Sequence, residues 1–271
     1  MAWLFDPFDV AFMQRALLGG VLAAVTCAVV GTWVVVRGMA FLGEALSHGM
    51  LPGVAVAVLA GWPPVVGAAV SAGVMGVGVG VVSRRAGLSH DTSIGLLFVG
   101  MLALGVTIVS RSRSFATDVT AILFGDVLAI RSGDLVLLAA ALVVLVGTTA
   151  LLHRAFMALA FDPRTAATLR LRPRATQVAM VLLVSAAVVT SYQALGTLLV
   201  VALLLAPPAA ARQWTRRLPS TMVLAALCGA GAVVAGLLVS WHAGTAGGAS
   251  IASCAVVLVA LSVAGRRVVH R

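Results

Sequence analysis

The chain has 271 residues, 62% of them hydrophobic and only 10% charged, with a mean hydropathy of +1.14. A soluble globule carries about 25% charged residues, so these values exclude an ordinary water-soluble domain and describe a polytopic membrane protein with little mass outside the bilayer. The net charge of +10 does not point to nucleic acid, because all 18 basic residues are arginines and most stand in short loops between apolar runs, as topology signals do.

Met1 to Val10 carries Asp6 and Asp9 and no positive region, so it does not read as a cleaved signal peptide. A membrane span needs about 20 apolar residues. In chain order the candidates are Ala16–Val36, Phe41–Leu59, Val65–Val82, Ile94–Val109, Leu135–Leu152, Thr176–Tyr192, Leu195–Ala211, Thr221–Ser240 and Ala249–Ala264. The expected fold is therefore all-α: a bundle of about nine transmembrane helices forming a single domain over residues 1–271. Glycine-rich stretches such as Gly67 to Gly80 and Gly229 to Gly236 let helices approach closely. Cys27, Cys228 and Cys254 lie inside apolar runs and read as packing residues, with neither disulfide nor metal spacing.

The second span holds Glu44 and His48, four residues apart. That separation is about one helical turn, which places both side chains on one face with Cβ atoms roughly 6 Å apart. A charge at mid-bilayer costs on the order of 3 kcal/mol, so such a pair serves an ion, a proton or a substrate, unless it lies near a helix end and bonds its neighbours or reaches water. Carboxylate oxygen and imidazole nitrogen together suit zinc, manganese or ferrous iron. One helix supplies only two ligands; two copies about a two-fold axis would supply four.

His90 and Asp91 precede the fourth span, where Asp91 reads as a helix N-cap. Val119–Ile130 is apolar but too short to span, and reads as a short external or re-entrant helix. Between the fifth and sixth spans, Asp162 is a cap, Pro163 suits a first turn and Pro173 ends the segment. This short basic helix is either a plain positively charged loop or a docking helix for a cytoplasmic partner. Pro207 and Pro208 stand near the end of the seventh span, as a hinge or as the place where the span stops.

Arginines orient the bundle. Alternating spans bring Arg84 and Arg85, the group from Arg154 to Arg174, the group Arg212, Arg216 and Arg217, and finally Arg266, Arg267 and Arg271 to one side. The positive-inside rule makes that side cytoplasmic, which puts the N-terminus outside and the C-terminus inside. Arg15, Arg111, Arg113 and Arg131 fall on the other side. No phosphate-cradling glycine loop with a following lysine appears, nor a nucleophile elbow or zinc-protease spacing, so the chain carries no ATPase site and no evident enzyme chemistry.

Five segments in order carry a resemblance: Gly43 to His48, Asp91 to Phe98, Leu123 to Ile130, Phe161 to Pro163 with the alanine-rich turn after it, and Leu199 to Pro207. Together they resemble the membrane permeases of bacterial ATP-binding-cassette (ABC) importers for zinc, manganese and related divalent metals, over about Leu17 to Arg267. The resemblance implies a fold related to cobalamin and siderophore permeases and a location in the bacterial plasma membrane. It implies a homodimer with two cytoplasmic ATPase subunits and an extracytoplasmic solute-binding protein. It implies no permanently bound cofactor, only a transported ion passing Glu44 and His48, and a coupling segment about 154–175 in which Asp162, Pro163, Ala166, Ala167 and Leu169 meet the ATPase. The chain departs from the family in having Glu44 where Asp is usual and Arg170 where Gly is frequent. The alternative within transport is a permease for a chelated metal, siderophore or haem, in which the pair would be gate or packing residues.

Overall fold

A computed structural model describes residues 6–110, 127–161, 171 and 173–269. Among these there is no strand. After a 3₁₀ turn at Asp6–Asp9 come α1 (Ala11–Val36), α2 (Ala40–Gly49), α3 (Leu51–Leu59), α4 (Pro64–Arg85) and α5 (His90–Ser110). A second 3₁₀ turn, Val127–Ala129, precedes α6 (Ser132–Leu151), α7 (His153–Phe161), α8 (Pro173–Leu195), α9 (Thr197–Arg212), α10 (Leu218–Ala243) and α11 (Gly247–Val269). Helix is the form that satisfies backbone N–H and C=O groups within one segment where no water reaches.

Among the described residues, 8 stretches are long and apolar enough to cross a membrane, with α2 and α3 together making one of them, and α9 is a shorter apolar helix. All nine expected spans coincide with these helices in order. At 16 residues α9 is about 24 Å long, less than the roughly 30 Å hydrocarbon layer.

Helix α1 is the centre of the bundle: 72% of its most apolar stretch is buried, against 17% for α5 at the periphery. It packs against α6, α8, α9 and α10, while α11 lies over α9 and α10. Helices α2 to α5 form a second group, joined to the first through α8. Close approach depends on glycine. A side chain on Gly53 would strike the carbonyl of Gly67, and one on Gly67 would strike the carbonyl of Gly53, so α3 and α4 meet backbone to backbone.

The second span is broken rather than continuous. Pro52 has no N–H to give the carbonyl four residues back, that of His48, and the helix is interrupted at Met50. The break thus falls within a turn of His48. Two local expectations change. The fourth span is capped by Ser89, whose Oγ accepts the Thr92 N–H at 3.1 Å, so Asp91 lies in the first turn and is not the cap. Cys27 is buried, but Cys228 and Cys254 are only half-buried, because α10 and α11 lie at the bundle's outside.

The arginine clusters gather at one end. Arg37 and Arg84 line one cavity, and Arg212 and Arg216 share a second with Val36 and Ala160. Arg266 donates to Gln213 Oε1 at 2.9 Å, and Arg212 donates to the Val35 carbonyl at 3.3 Å.

Candidate functional site

Glu44 and His48 sit on α2, where the 3.6-residue period puts them one above the other. His48 Nε2 stands 3.0 Å from Glu44 Oε1, the single ion pair among the described residues. The carboxylate is 35% exposed and the imidazole 18%, so the open side of the pair is the carboxylate side. Around them Leu42, Ala45, Leu46 and Met50 are buried, which fixes the helix's inward face and leaves the pair at its edge.

The imidazole is held by aromatic edges. The Phe98 ring on α5 meets His48 at 5.7 Å between centroids and 69°, and Phe41 meets Phe98 at 5.6 Å and 68°. Phe98 lies two turns along α5 from Asp91. Phe41 opens the second span and Phe98 closes the Asp91 segment, and the helical register of 41, 44 and 48 is the sequence signal that puts Phe41 beside the pair. His48 Nδ1 is buried and has no hydrogen-bond partner among the described residues. Were Nε2 to take a metal, its proton would move to Nδ1, where no acceptor stands among the described residues. A ligating histidine is usually oriented by such an acceptor.

Two ligands at about 2.1 Å from an octahedral ion and 90° apart stand about 3.0 Å from one another. The observed spacing matches that separation, although an ion so placed would lie off the line between the two atoms and require the imidazole to turn toward it. No group of three or more His, Cys, Asp or Glu that could hold a metal ion occurs among the described residues.

The other predicted residues are placed as follows. Asp162, Pro163, Ala166, Ala167 and Leu169 lie outside the described residues, flanked by α7 and α8. Pro207 and Pro208 are buried inside α9, which runs on to Arg212, so the span does not stop at them. Val119–Ile130 is described only from Val127 onward, as the 3₁₀ turn and a buried Ile130. His153 is half-buried and meets the Trp33 ring at 5.4 Å and 64°.

The described residues thus form a multi-span helical bundle with an ion pair at the edge of one broken span. Residues 9–266 match the ABC 3 transport family, and the chain belongs to it. It is the permease subunit of an ABC importer, and ATP hydrolysis belongs to a separate subunit. The manganese transport system membrane protein MntC of Listeria monocytogenes is 33% identical over 258 residues, covering 95% of this chain and 92% of that protein. The chelated iron transport system membrane protein YfeD of Yersinia pestis is 34% identical over 260 residues, covering 94% of this chain and 84% of its own. The solved structure of PsaBC from Streptococcus pneumoniae in complex with Fab is similar at a TM-score of 0.84 and 29% identity, over 96% of this chain and 94% of that one.

Proposed function

We propose that this permease carries a free divalent transition metal, manganese foremost, into the cytoplasm, and that Glu44 and His48 of two copies form the transient site it passes. The carrying observation is the 3.0 Å pair on the half-open edge of a span. A carboxylate left facing lipid is costly, and a second copy of the chain on that face removes the cost while completing a four-ligand set. The oxygen and nitrogen ligands suit manganese, iron and zinc. Among relatives, the MntC protein is a manganese system, which favours manganese over the other two. The missing acceptor at His48 Nδ1 supports a weak site, as a carrier that must also release its cargo requires.

The complex is then a permease homodimer, each copy a single domain over residues 1–271, with two ATPase subunits on the arginine-rich cytoplasmic face and an extracytoplasmic solute-binding protein opposite. The segment 154–175 meets the ATPase through Asp162, Pro163, Ala166, Ala167 and Leu169. The chelate reading draws on the YfeD relative and would leave the pair without a ligand role. Manganese uptake by cells expressing the whole importer separates the two. Glu44→Gln and His48→Ala should each reduce uptake strongly without loss of expression or ATPase assembly, and Glu44→Asp should retain much of it. Uptake by both variants at the parent rate would remove the pair from the pathway and leave the chelate reading in place.

A further inference from the structure

A cavity of about 660 Å³ opens at the arginine-rich end of the bundle. Its walls include Arg37, which follows α1, Arg84 of α4 and Asp91 of α5, together with Leu159, Pro173 and Gln177 from the elements on either side of segment 162–170. Arg37 and Asp91 carry opposite charge and share this space, yet among the described residues neither side chain has an ion pair or a hydrogen-bonded partner. One guanidinium nitrogen of Arg37 is buried without a partner. Burial also pulls the Arg37 pKa below its ordinary value, the direction expected of a cation held away from water without an anion. Arg37 as a whole is half-buried and Asp91 is exposed, so the unfavourable element is the one guanidinium nitrogen withdrawn from water without a partner, which a conformational change can relieve. Asp91 is available for that change because Ser89, not Asp91, caps α5.

The cavity is also the meeting point of two working parts. Gln177 Nε2 approaches Met39 Sδ at 3.9 Å. Met39 immediately precedes α2, the helix of Glu44 and His48, and Gln177 lies in the first turns of α8, directly after the segment that meets the ATPase. Between Arg37 and Met39 stands Gly38 at φ +66°, a left-handed turn at which the chain can re-aim Arg37.

We propose that Arg37 and Asp91 are the two halves of a charge latch that closes this cavity below the metal-bearing helix during the transport cycle. In the open arrangement seen here the halves are apart. Movement of α8 by the ATPase changes the cavity walls at Pro173 and Gln177, and collapse of the cavity brings the guanidinium to the carboxylate. Both are positioning residues: they hold α2 against the start of α5 and do not bind the metal. The latch rests on reading 162–170 as the coupling segment.

The test uses the assembled importer, with its ATPase and binding protein, in proteoliposomes and manganese(II) as the probe. Arg37→Gln and Asp91→Asn should each lower ATP-driven uptake by at least about fivefold, the lower end of coupling effects between sites. Manganese binding by the permease in detergent should stay at the parent level, because Glu44 and His48 are intact. The exchange of charges, Arg37→Asp with Asp91→Arg, should restore most of the lost uptake, which a purely structural role would not do. In a background without the three native cysteines, Arg37→Cys with Asp91→Cys should cross-link in one nucleotide state and not in the other. Parent-rate uptake by the single variants, or an exchanged pair as inactive as either single, would overturn the latch. So would cross-linking that is independent of nucleotide. A separate variant, Ala166→Glu, distinguishes failure of the coupling reading: normal ATPase co-purification with that variant rejects the coupling segment, whatever the latch variants do.

Discussion

Gly31 shows how one residue carries a helix crossing. A side chain there would collide with the carbonyl of Leu204 on α9, an atom of the backbone that cannot swing aside. That carbonyl lies four residues before Pro208, so proline denies it the usual helical N–H. The freed oxygen is the one that meets Gly31, where a Cα–H contact partly replaces the lost bond. Gly31→Ala should therefore destabilise the protein by about 1–2 kcal/mol, an overpacking cost larger than the helix propensity that alanine adds. Gly73→Ala is the control: a β-carbon there meets nothing within 4 Å, so it should leave stability unchanged or raise it by up to about 1 kcal/mol. Thermal unfolding of both variants in one detergent decides the matter, and equal melting temperatures would discount the close approach.

At the scale of elements, prolines interrupt backbone hydrogen bonding in two helical stretches. Pro52 separates α2 from α3 just past His48, and Pro207 and Pro208 lie buried in α9 one turn before its end. The second break leaves the carbonyls of Leu203 and Leu204 without their helical partners while the helix continues to Arg212. That arrangement favours the hinge reading over simple termination. Pro207→Ala with Pro208→Ala restores both donors, so stability should stay level or rise while manganese uptake falls several-fold, a pattern expected of a stiffened hinge. Parent-rate uptake by a stable double variant would show that the prolines only shape the α1–α9 contact. The end of α9 is itself tied down: Trp214 Nε1 donates to Ser262 Oγ at 2.7 Å, and Ser262 donates to the Ala210 carbonyl at 2.9 Å.

At the scale of the whole molecule, the gathering of Arg37, Arg84, Arg212, Arg216 and Arg266 at one end supports the orientation read from their loops. The N-terminus should be outside and the C-terminal tail cytoplasmic, which requires the short α9 to cross. Impermeant maleimide labelling of single cysteines at Ala2 and beyond Arg267, in a background without the native three, should react from opposite sides. Labelling from the same side would make the number of crossings even and return α9 to a re-entrant role. The exposed valines and leucines of α5 and α6, such as Leu96, Val99, Val136 and Val143, are then the lipid or partner-facing surface.

What the amino-acid order determined alone is what depends on local composition. Apolar run lengths located the helices of the nine expected spans, because a span is set by the thickness of a bilayer and not by neighbours. The four-residue spacing placed Glu44 beside His48, because helix geometry is the same in any fold. The arginine pattern grouped one end, because each cluster lies within a few residues of a span. Only the tertiary structure decided which helix is central, since α1 and α5 are equally apolar by sequence and differ in how many neighbours surround them. It also decided that Ser89 rather than Asp91 caps α5, that Phe98 closes on His48, and that Arg37 and Asp91, more than fifty residues apart, face the same unfilled cavity. Those outcomes depend on which surfaces meet, and close packing of whole helices, through glycines at Gly31, Gly53 and Gly67, is the physical cause that no local pattern encodes.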